Sequence, residues 1–567
     1  MKFSLTSIKN DSPLRIVNLG GVSVQKNMFV YEYEDEKVLV DCGIGFAEVD
    51  DFGVDITIPD FSYILEKKEQ IKGLVLTHAH EDHYSATPFL LREMPLKIFA
   101  HPLVEAFVKN KLEDFKDYNP PQFIEISPDK SFTVGKYFEF IPYRVNHSVP
   151  NTLGFFIKTP AGVIVHQSDF KFDWTPVMDK PADVQKIAYL AKSLKPVLLL
   201  SDSLGSTHKG YTASEKDIED TFDSLLNDAT GQVFITTISS NISRIQQAIN
   251  SAVKHNRKVI ISGRSIENNF RVAQEQGLVN YPKGTILEKH QAKSVKDSNI
   301  LFIVPGTYGQ VGSSLDKIAE GKHRFIKMRE GATVIFSGDP IPGMEPQVNR
   351  LISKLILRGA NVIYSDIQEN LHVSGHGSKG DITLMAQLVR AKYLAPIGGD
   401  IIHLRAYKDL MHSLGYKRKR VFELLDGESL EIRDNSYIKK GETVPIRGIF
   451  IDNEQGKRAV REVLLEDRKR LAENGILVVV IPYQNKRPLP DRAGIYTRGF
   501  IFVKDNKSVM KSIKKTIVET INTLKKQDSK KVESFDKVKK ELERALQKHL
   551  YKRVGEAPLI FIDKIDL

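Results

Sequence analysis

A chain of 567 residues exceeds what one hydrophobic core supports, so roughly two to four domains are expected. Its 41% apolar and 27% charged residues exclude a disordered or fibrous class, and no uncharged apolar run of about eighteen residues is present to suggest a membrane span. The single cysteine, Cys42, excludes an internal disulfide and suits a cytoplasmic protein, while the net charge of +11 fits either a polyanionic partner or lysine-rich solvated helices.

The N-terminal MKFSLTSIKNDSPLRI lacks the apolar stretch of a secretory signal. Up to about residue 209 short strands dominate. Lys37-Val-Leu-Val-Asp41, Gly73-Leu-Val-Leu76, Ala161-Gly-Val-Ile-Val-His166 and Pro196-Val-Leu-Leu-Leu200 are apolar runs that each stop at polar residues. That pattern predicts one sheet with its chemistry along one rim. From about 210 to 380 the rhythm becomes strand then helix, with strands at 232–235, 258–261, 300–304, 332–336 and 361–364, which predicts a mostly parallel sheet. From about 455 to 567 a third unit is expected, with strands at 476–481 and 559–562. There Ile513, Ile517, Val518, Ile521 and Leu524 share one helical face, and Leu542, Ala545, Leu546 and Leu550 share another. The lysines between them (Lys525, Lys526, Lys530, Lys531) read as a solvated loop.

The densest chemistry lies in LVLTHAHEDH, residues 74–83. A loop leaving a strand can point His78 and His80 one way, with Asp82 and His83 opposite as the chain turns into a helix. Two facing pairs of imidazole and carboxylate suit two adjacent divalent ions, zinc first, with manganese or magnesium as alternatives. More donors are needed. His147 follows one apolar strand and Asp169 another, and a carboxylate such as Asp169 can bridge two ions. Farther on, His372-Val373-Ser374-Gly375-His376 places hydroxyl, imidazole and a glycine where a phosphate could be held. Ser240 and Asn241 stand between a strand and a helix start, which favours anions, and Arg264 ends another strand within reach of phosphate or of a surface ion pair.

HAHEDH, VNHS and SDFKFD resemble the metallo-β-lactamase superfamily. LGG…KNMFVYEYEDEKVLVDCG, GVDITIPDFSYILE, IKGLVLTHAHEDH, LLLSDS, SSNISRIQQAI, SGDPIPGMEPQVNRLI and HVSGHGS resemble, in order, bacterial ribonuclease J over nearly the whole chain. The resemblance implies an α/β fold: a metallo-β-lactamase αββα sandwich (about 1–209, resuming at 381–454), an inserted β-CASP α/β domain (210–380) and a small α/β C-terminal assembly domain (455–567). It implies that Asp41 braces the ligand loop, that HVSGH holds the nucleic-acid backbone, and that His376 is a candidate general acid beside Asp82 and His83. Glu215 stands at the family's acidic position where the inserted domain begins.

Two residues depart from the family pattern. Ser243 stands where the family often has histidine. Gly398, within PIGGD, stands where ribonuclease J has a metal-binding histidine; His403, or Asp400, is the substitute expected to complete the second ion. The chemistry implied is metal-assisted hydrolysis of RNA phosphodiesters to 5′-phosphates, by endonuclease and 5′→3′ exonuclease action in rRNA processing and mRNA decay. The partners implied are single-stranded, preferably 5′-monophosphorylated RNA, a second or further copies of the chain as homodimer or homotetramer, and an RNA-degradation complex, with no membrane. The competing readings are a small-molecule hydrolase of the same fold and a non-catalytic RNA-binding scaffold with a decayed second metal site.

Overall fold

In a computed structural model of the chain, the described residues are 12–22, 25–46, 54, 56–338, 344–452, 458–460, 462–500, 507–527, 532–555 and 557–567. Residues 339–343 of the SGDPIPG motif, residues 53 and 55 of GVDITIPD, and Lys530 and Lys531 lie outside them. Two compact units divide the chain, parting after Gly45, Thr57 and Gly448.

The larger unit contains three sheets. The first runs, in spatial order, Tyr437–Lys440, Ser429–Arg433, Leu14–Gly20, Met28–Tyr33, Glu36–Val40, Ile71–Val75, Lys97–Ala100 and Gln122–Glu125. The second runs Tyr393–Ile397, Leu198–Asp202, Gly162–Gln167, Thr152–Thr159, Phe138–Val145 and Phe132–Val134. Alternation along each strand decides what it faces. Leu153, Phe155 and Ile157 join Phe29, Tyr31, Val38 and Val40 of the first sheet in one core, which sets the two sheets face to face. Phe156, Val165, Leu199 and Leu394 point the other way, onto the helices Val184–Leu194, Lys379–Val389 and Ile401–Ser413. The sandwich is thus closed by strands that follow the insertion.

One sequence expectation is corrected here. The runs ending at Asp41 and at the histidine cluster lie in the first sheet, and those ending at His166 and Asp202 in the second, so the chemistry sits where two sheet rims meet rather than along one. A strand covered on both faces is apolar throughout in either middle layer, and its sequence cannot say which sheet it joins.

The third sheet is wholly parallel, in the order Lys258–Ile261, Ile300–Val304, Val233–Thr236, Thr333–Phe336 and Asn361–Ile363. Val233–Thr236 is where the strand order reverses, so the loop after it, with Ser239–Asn241, opens at the switch point where α/β sheets bind ligands.

In the smaller unit, Ile476–Gln484 pairs antiparallel with Gly494–Arg498 and parallel with Leu559–Asp566. Leu477, Val479 and Ile481 alternate onto Ile513, Ile517 and Ile521 of Lys507–Gln527 and Leu542, Leu546 and Leu550 of Phe535–Val554. The apolar helix faces are therefore covered within the unit. The unit also takes in Ile56 and Thr57, which nothing in the sequence indicated.

Candidate active site

Asp41 ends Glu36–Val40 in a left-handed conformation, φ +60°, which turns its carboxylate back over the neighbouring strand. Its Oδ1 accepts from Thr77 N at 2.9 Å, and its Oδ2 accepts from Thr77 Oγ1 at 2.9 Å and from His83 Nδ1 at 2.8 Å. Because His83 donates through Nδ1, its Nε2 is left to face the site. The backbone of the same loop holds the ligand turn: Cys42 N donates to His83 O, and Ile44 N to Glu81 O.

Among the described residues, donor atoms converge in three sets. His78, His80, His147 and Asp169 form one, Asp82, His83 and Asp169 a second, and Asp169, Asp202 and His376 a third, with the donor atoms of each set within 4.8 Å of one another. Asp169 belongs to all three. Its Oδ2 lies 3.5 Å from the Nε2 atoms of His78 and His147, 3.4 Å from that of His83 and 3.9 Å from that of His376. The other ring nitrogens are spoken for. His147 Nδ1 donates to Gly375 O at 2.6 Å, His80 Nε2 meets Ser148 Oγ at 3.1 Å, and His78 Nδ1 meets Thr77 Oγ1 at 2.9 Å. Buried imidazoles and carboxylates gathered this closely, each ring oriented by a second partner, are the donor chemistry a divalent cation requires.

Electrostatics separates the sets. Burial, with the neighbouring histidines, holds His78 and His147 well below the usual imidazole range, and burial takes His80 down to about 4. Burial opposes the charge on His83 too, but Asp169, Asp82 and Asp41 outweigh it and hold that imidazole well above the usual range. For His376 burial is likewise outweighed by Asp202 and Asp169, and its pKa rises to about 9.

His376 Nδ1 lies 2.8 Å from Asp202 Oδ2, and Asp202 Oδ1 accepts from Leu204 N at 2.9 Å. The HVSGH segment is tied to the ligands at several points. Besides Gly375 O on His147, His376 O accepts from Thr212 Oγ1 at 2.8 Å and Gly377 N donates to Phe170 O at 2.6 Å. A Cβ at position 375 would lie 2.6 Å from His147 Cε1, so only glycine allows this approach. Ser374 is exposed, Val373 buried and His372 between the two.

The remaining candidates are placed differently from expectation. Asn241 caps Ile242–Lys254, its Oδ1 accepting from Arg244 N at 2.9 Å, so its side chain serves the helix rather than an anion. Ser240 is buried, whereas Arg264 is exposed at the start of Arg264–Glu275. A 2.8 Å contact between Ser239 Oγ and Ser265 Oγ joins these two loops. His403 is not brought into any donor set. Asp400 caps Ile401–Ser413 by accepting from Ile402 N and His403 N, and His403 Nδ1 lies 2.7 Å from Asp400 Oδ1. The first helical turn thus consumes Asp400, whereas His403 Nδ1 is buried without a hydrogen bond and lies outside the three donor sets. Gly398, by contrast, faces the site: a Cβ there would lie 3.5 Å from Asp202 Oδ1 and 3.7 Å from Asp169 Oδ1, and its φ of +67° favours glycine.

Three family models match the chain: a beta-lactamase superfamily domain over residues 36–186, the ribonuclease J beta-CASP domain over 230–355 and the ribonuclease J C-terminal domain over 463–563. Ribonuclease J 1 of Streptococcus pyogenes is 33% identical over 545 residues, 96% of this chain and 96% of its own. The chain belongs to the ribonuclease J family. Ribonuclease J2 of Bacillus subtilis is 31% identical over 561 residues, covering 97% of this chain and 98% of its own, and ribonuclease J of Thermus thermophilus is 33% identical over 555 residues, covering 96% and 94%. A crystal structure of a protein of unknown function from Enterococcus faecalis shares the fold over 74% of this chain, with a TM-score of 0.52 at 14% identity.

The chain is thus a ribonuclease J-type RNA-processing nuclease, a metal-dependent hydrolase whose His/Asp cluster fits a divalent metal site. No helix among the described residues is long and apolar enough to cross a membrane. Within this ribonuclease J frame, motif spacing does not reveal three partners of the site. Asp202 ends an apolar strand as Asp169 does, within the LLLSDS segment, but neither feature says that it meets His376. Ser148 closes the VNHS segment, whose spacing does not tell that it meets His80. Asn27, whose Nδ2 lies 3.0 Å from His83 Nε2 and 3.4 Å from Asp82 Oδ2, precedes a strand far away in sequence.

Proposed function

We propose that the site hydrolyses RNA phosphodiesters with two divalent cations, zinc first, leaving 5′-phosphate and 3′-hydroxyl ends by endonuclease and 5′→3′ exonuclease action. The carrying observation is the convergence of the three donor sets on Asp169 Oδ2 directly beneath HVSGH. His78, His80, His147 and Asp169 would hold one cation, and Asp82, His83 and Asp169 the other. When bound, such cations supply Lewis acidity: they lower the pKa of a water and offset charge on the phosphoryl oxygens.

The chain's own residues do the rest. Asp41 keeps His83 Nε2 turned to the site. His372, Val373, Ser374 and Gly375 grip the backbone phosphate, His147 anchoring Gly375. His376 carries a proton at neutral pH because Asp202 and Asp169 favour its charged form, and it delivers that proton to the departing 3′ oxygen. Ser240 and Arg264, at the carboxyl ends of the parallel strands, extend the phosphate track. The exonuclease mode needs a pocket for a terminal 5′-monophosphate between the β-CASP and lactamase-like parts.

The test is cleavage of 5′-monophosphorylated single-stranded RNA by metal-loaded protein, wild type against His80→Ala. Cleavage by wild type, lost in the variant, is expected. Equal RNA binding without cleavage in both proteins would instead favour the scaffold reading, to which bare Gly398 lends support. A cytoplasmic homodimer or homotetramer within an RNA-degradation complex completes the reading, and the mass of the protein in solution tests its assembly.

A further inference from the structure

Four charged side chains outside the donor sets are buried together where the lactamase-like strands meet the β-CASP part. Lys171 and Arg244 are fully covered, Asp173 and Glu215 nearly so. Charges this deep persist only when paired and hydrogen-bonded, and here two cations face two anions. Burial opposes the Glu215 charge, yet Arg244 and Lys171 hold its carboxyl below the usual range.

Arg244 reaches three partners beyond its own helix. Its Nη2 donates to Glu215 Oε2 at 2.7 Å, and its Nη1 donates to Ser337 Oγ at 2.5 Å and Leu371 O at 3.2 Å, while Nε donates to Gln247 Oε1 at 3.1 Å. Ser337 Oγ donates in turn to the same Leu371 carbonyl at 2.6 Å. Leu371 is the residue immediately before HVSGH. On the other side, Glu215 Oε1 accepts from Lys171 Nζ at 3.3 Å, and Lys171 N donates to Asn146 O at 2.8 Å. That last bond clasps the chain beside His147 to the chain beside Asp169. A continuous buried path therefore runs from the metal donors through Lys171, Glu215 and Arg244 to the near end of the phosphate segment.

We infer that Arg244 and Ser337 are positioning residues that set the stand of HVSGH over the metal donors, and so the place at which the RNA phosphate is gripped. This rests on reading HVSGH as the phosphate holder. The far end of the segment is pinned on the metal side, at Gly375, His376 and Gly377. Releasing Leu371 leaves that pin intact and lets the near end pivot. The planar guanidinium reaches Glu215 and Leu371 from two separate nitrogens, a span that the single nitrogen of a lysine does not offer.

Ser337→Ala removes the hydroxyl shared by Arg244 and Leu371 without touching the charge balance, and Arg244→Lys keeps the charge but not the fork. For 5′-monophosphorylated single-stranded RNA, KM is expected to rise about tenfold in Ser337→Ala and further in Arg244→Lys, with kcat within about threefold of wild type. Cations bound per chain and the thermal midpoint of Ser337→Ala should match wild type. The dissociation constant for the same RNA, read by fluorescence anisotropy on chelator-treated protein, should rise with KM.

Unchanged KM and RNA affinity in Ser337→Ala would overturn the inference, as would a fall in kcat that tracks lost cations. If Arg244→Lys does not fold, Ser337→Ala decides alone. Wild type that binds RNA without cleaving it would sink the nuclease reading, and the anisotropy series would still judge this one.

Discussion

The two halves of the proposed metal centre are built unequally. His78, His80 and His147 would give one cation three imidazoles besides Asp169, all neutral at pH 7 and each oriented by a hydroxyl or carbonyl behind it. The other half offers Asp82, His83 and the shared Asp169, and the three carboxylates around His83 favour its protonated form, which a cation held there would have to displace. Where a further donor could stand, Gly398 presents only hydrogen. Such an arrangement should bind one ion tightly and the other more loosely. The difference shows that a ligand motif can be intact while the centre it serves is lopsided, because the missing donor lies on a distant strand end.

Asp169→Asn is the severest way to break the comparison, since it removes the oxygen common to both halves. Cleavage should fall by about three orders of magnitude or more, and elemental analysis should find both cations depleted. Retention of both ions would show that Asp169 is not shared.

A pH titration sharpens the contrast. The looser site would have to expel a proton from His83, whose pKa Asp169, Asp82 and Asp41 raise, so its affinity should weaken as the pH falls, by up to about tenfold per unit below that raised pKa. The tighter site has its imidazoles already neutral across that range, His80 among them with a pKa near 4, and should change little. Calorimetric metal titrations in buffers of different ionisation enthalpy read the two sites separately, and equal slopes would remove the distinction.

Gly398→His tries to abolish the inequality. A side chain there starts 3.5 Å from Asp202 and 3.7 Å from Asp169, and a gain of about tenfold in the weaker affinity is expected despite the left-handed backbone. An unchanged weak phase would mean that the looser ion does not face position 398. Asp202→Asn is the mildest probe. With its carboxylate gone, His376 loses part of what raises its pKa to about 9, so the alkaline limb of the rate profile should move to lower pH, with a severalfold loss at pH 8. A limb that stays in place would take the acid role away from His376.

Much of this protein is legible in its residues read in order. HAHEDH announces its donors because a few residues of loop can be arranged in few ways. Short continuous apolar runs mark the strands of the parallel sheet, and helical apolar patterns mark the covered faces at Ile513, Ile517 and Ile521, because local patterning and burial are two views of one constraint. Long-range choices are another matter. Which sheet receives each apolar strand, the pairing of His376 with Asp202 across 174 positions, and the buried path from Lys171 to Leu371 arise only when distant segments dock. Docking also decided which polar side chains were free for chemistry. Asn241 and Asp400 became helix caps, because unpaired amides at a helix start claim the nearest acceptor before any ligand arrives. Periodicity and spacing are properties of the chain, whereas partnership depends on which surfaces packing brings within hydrogen-bond reach.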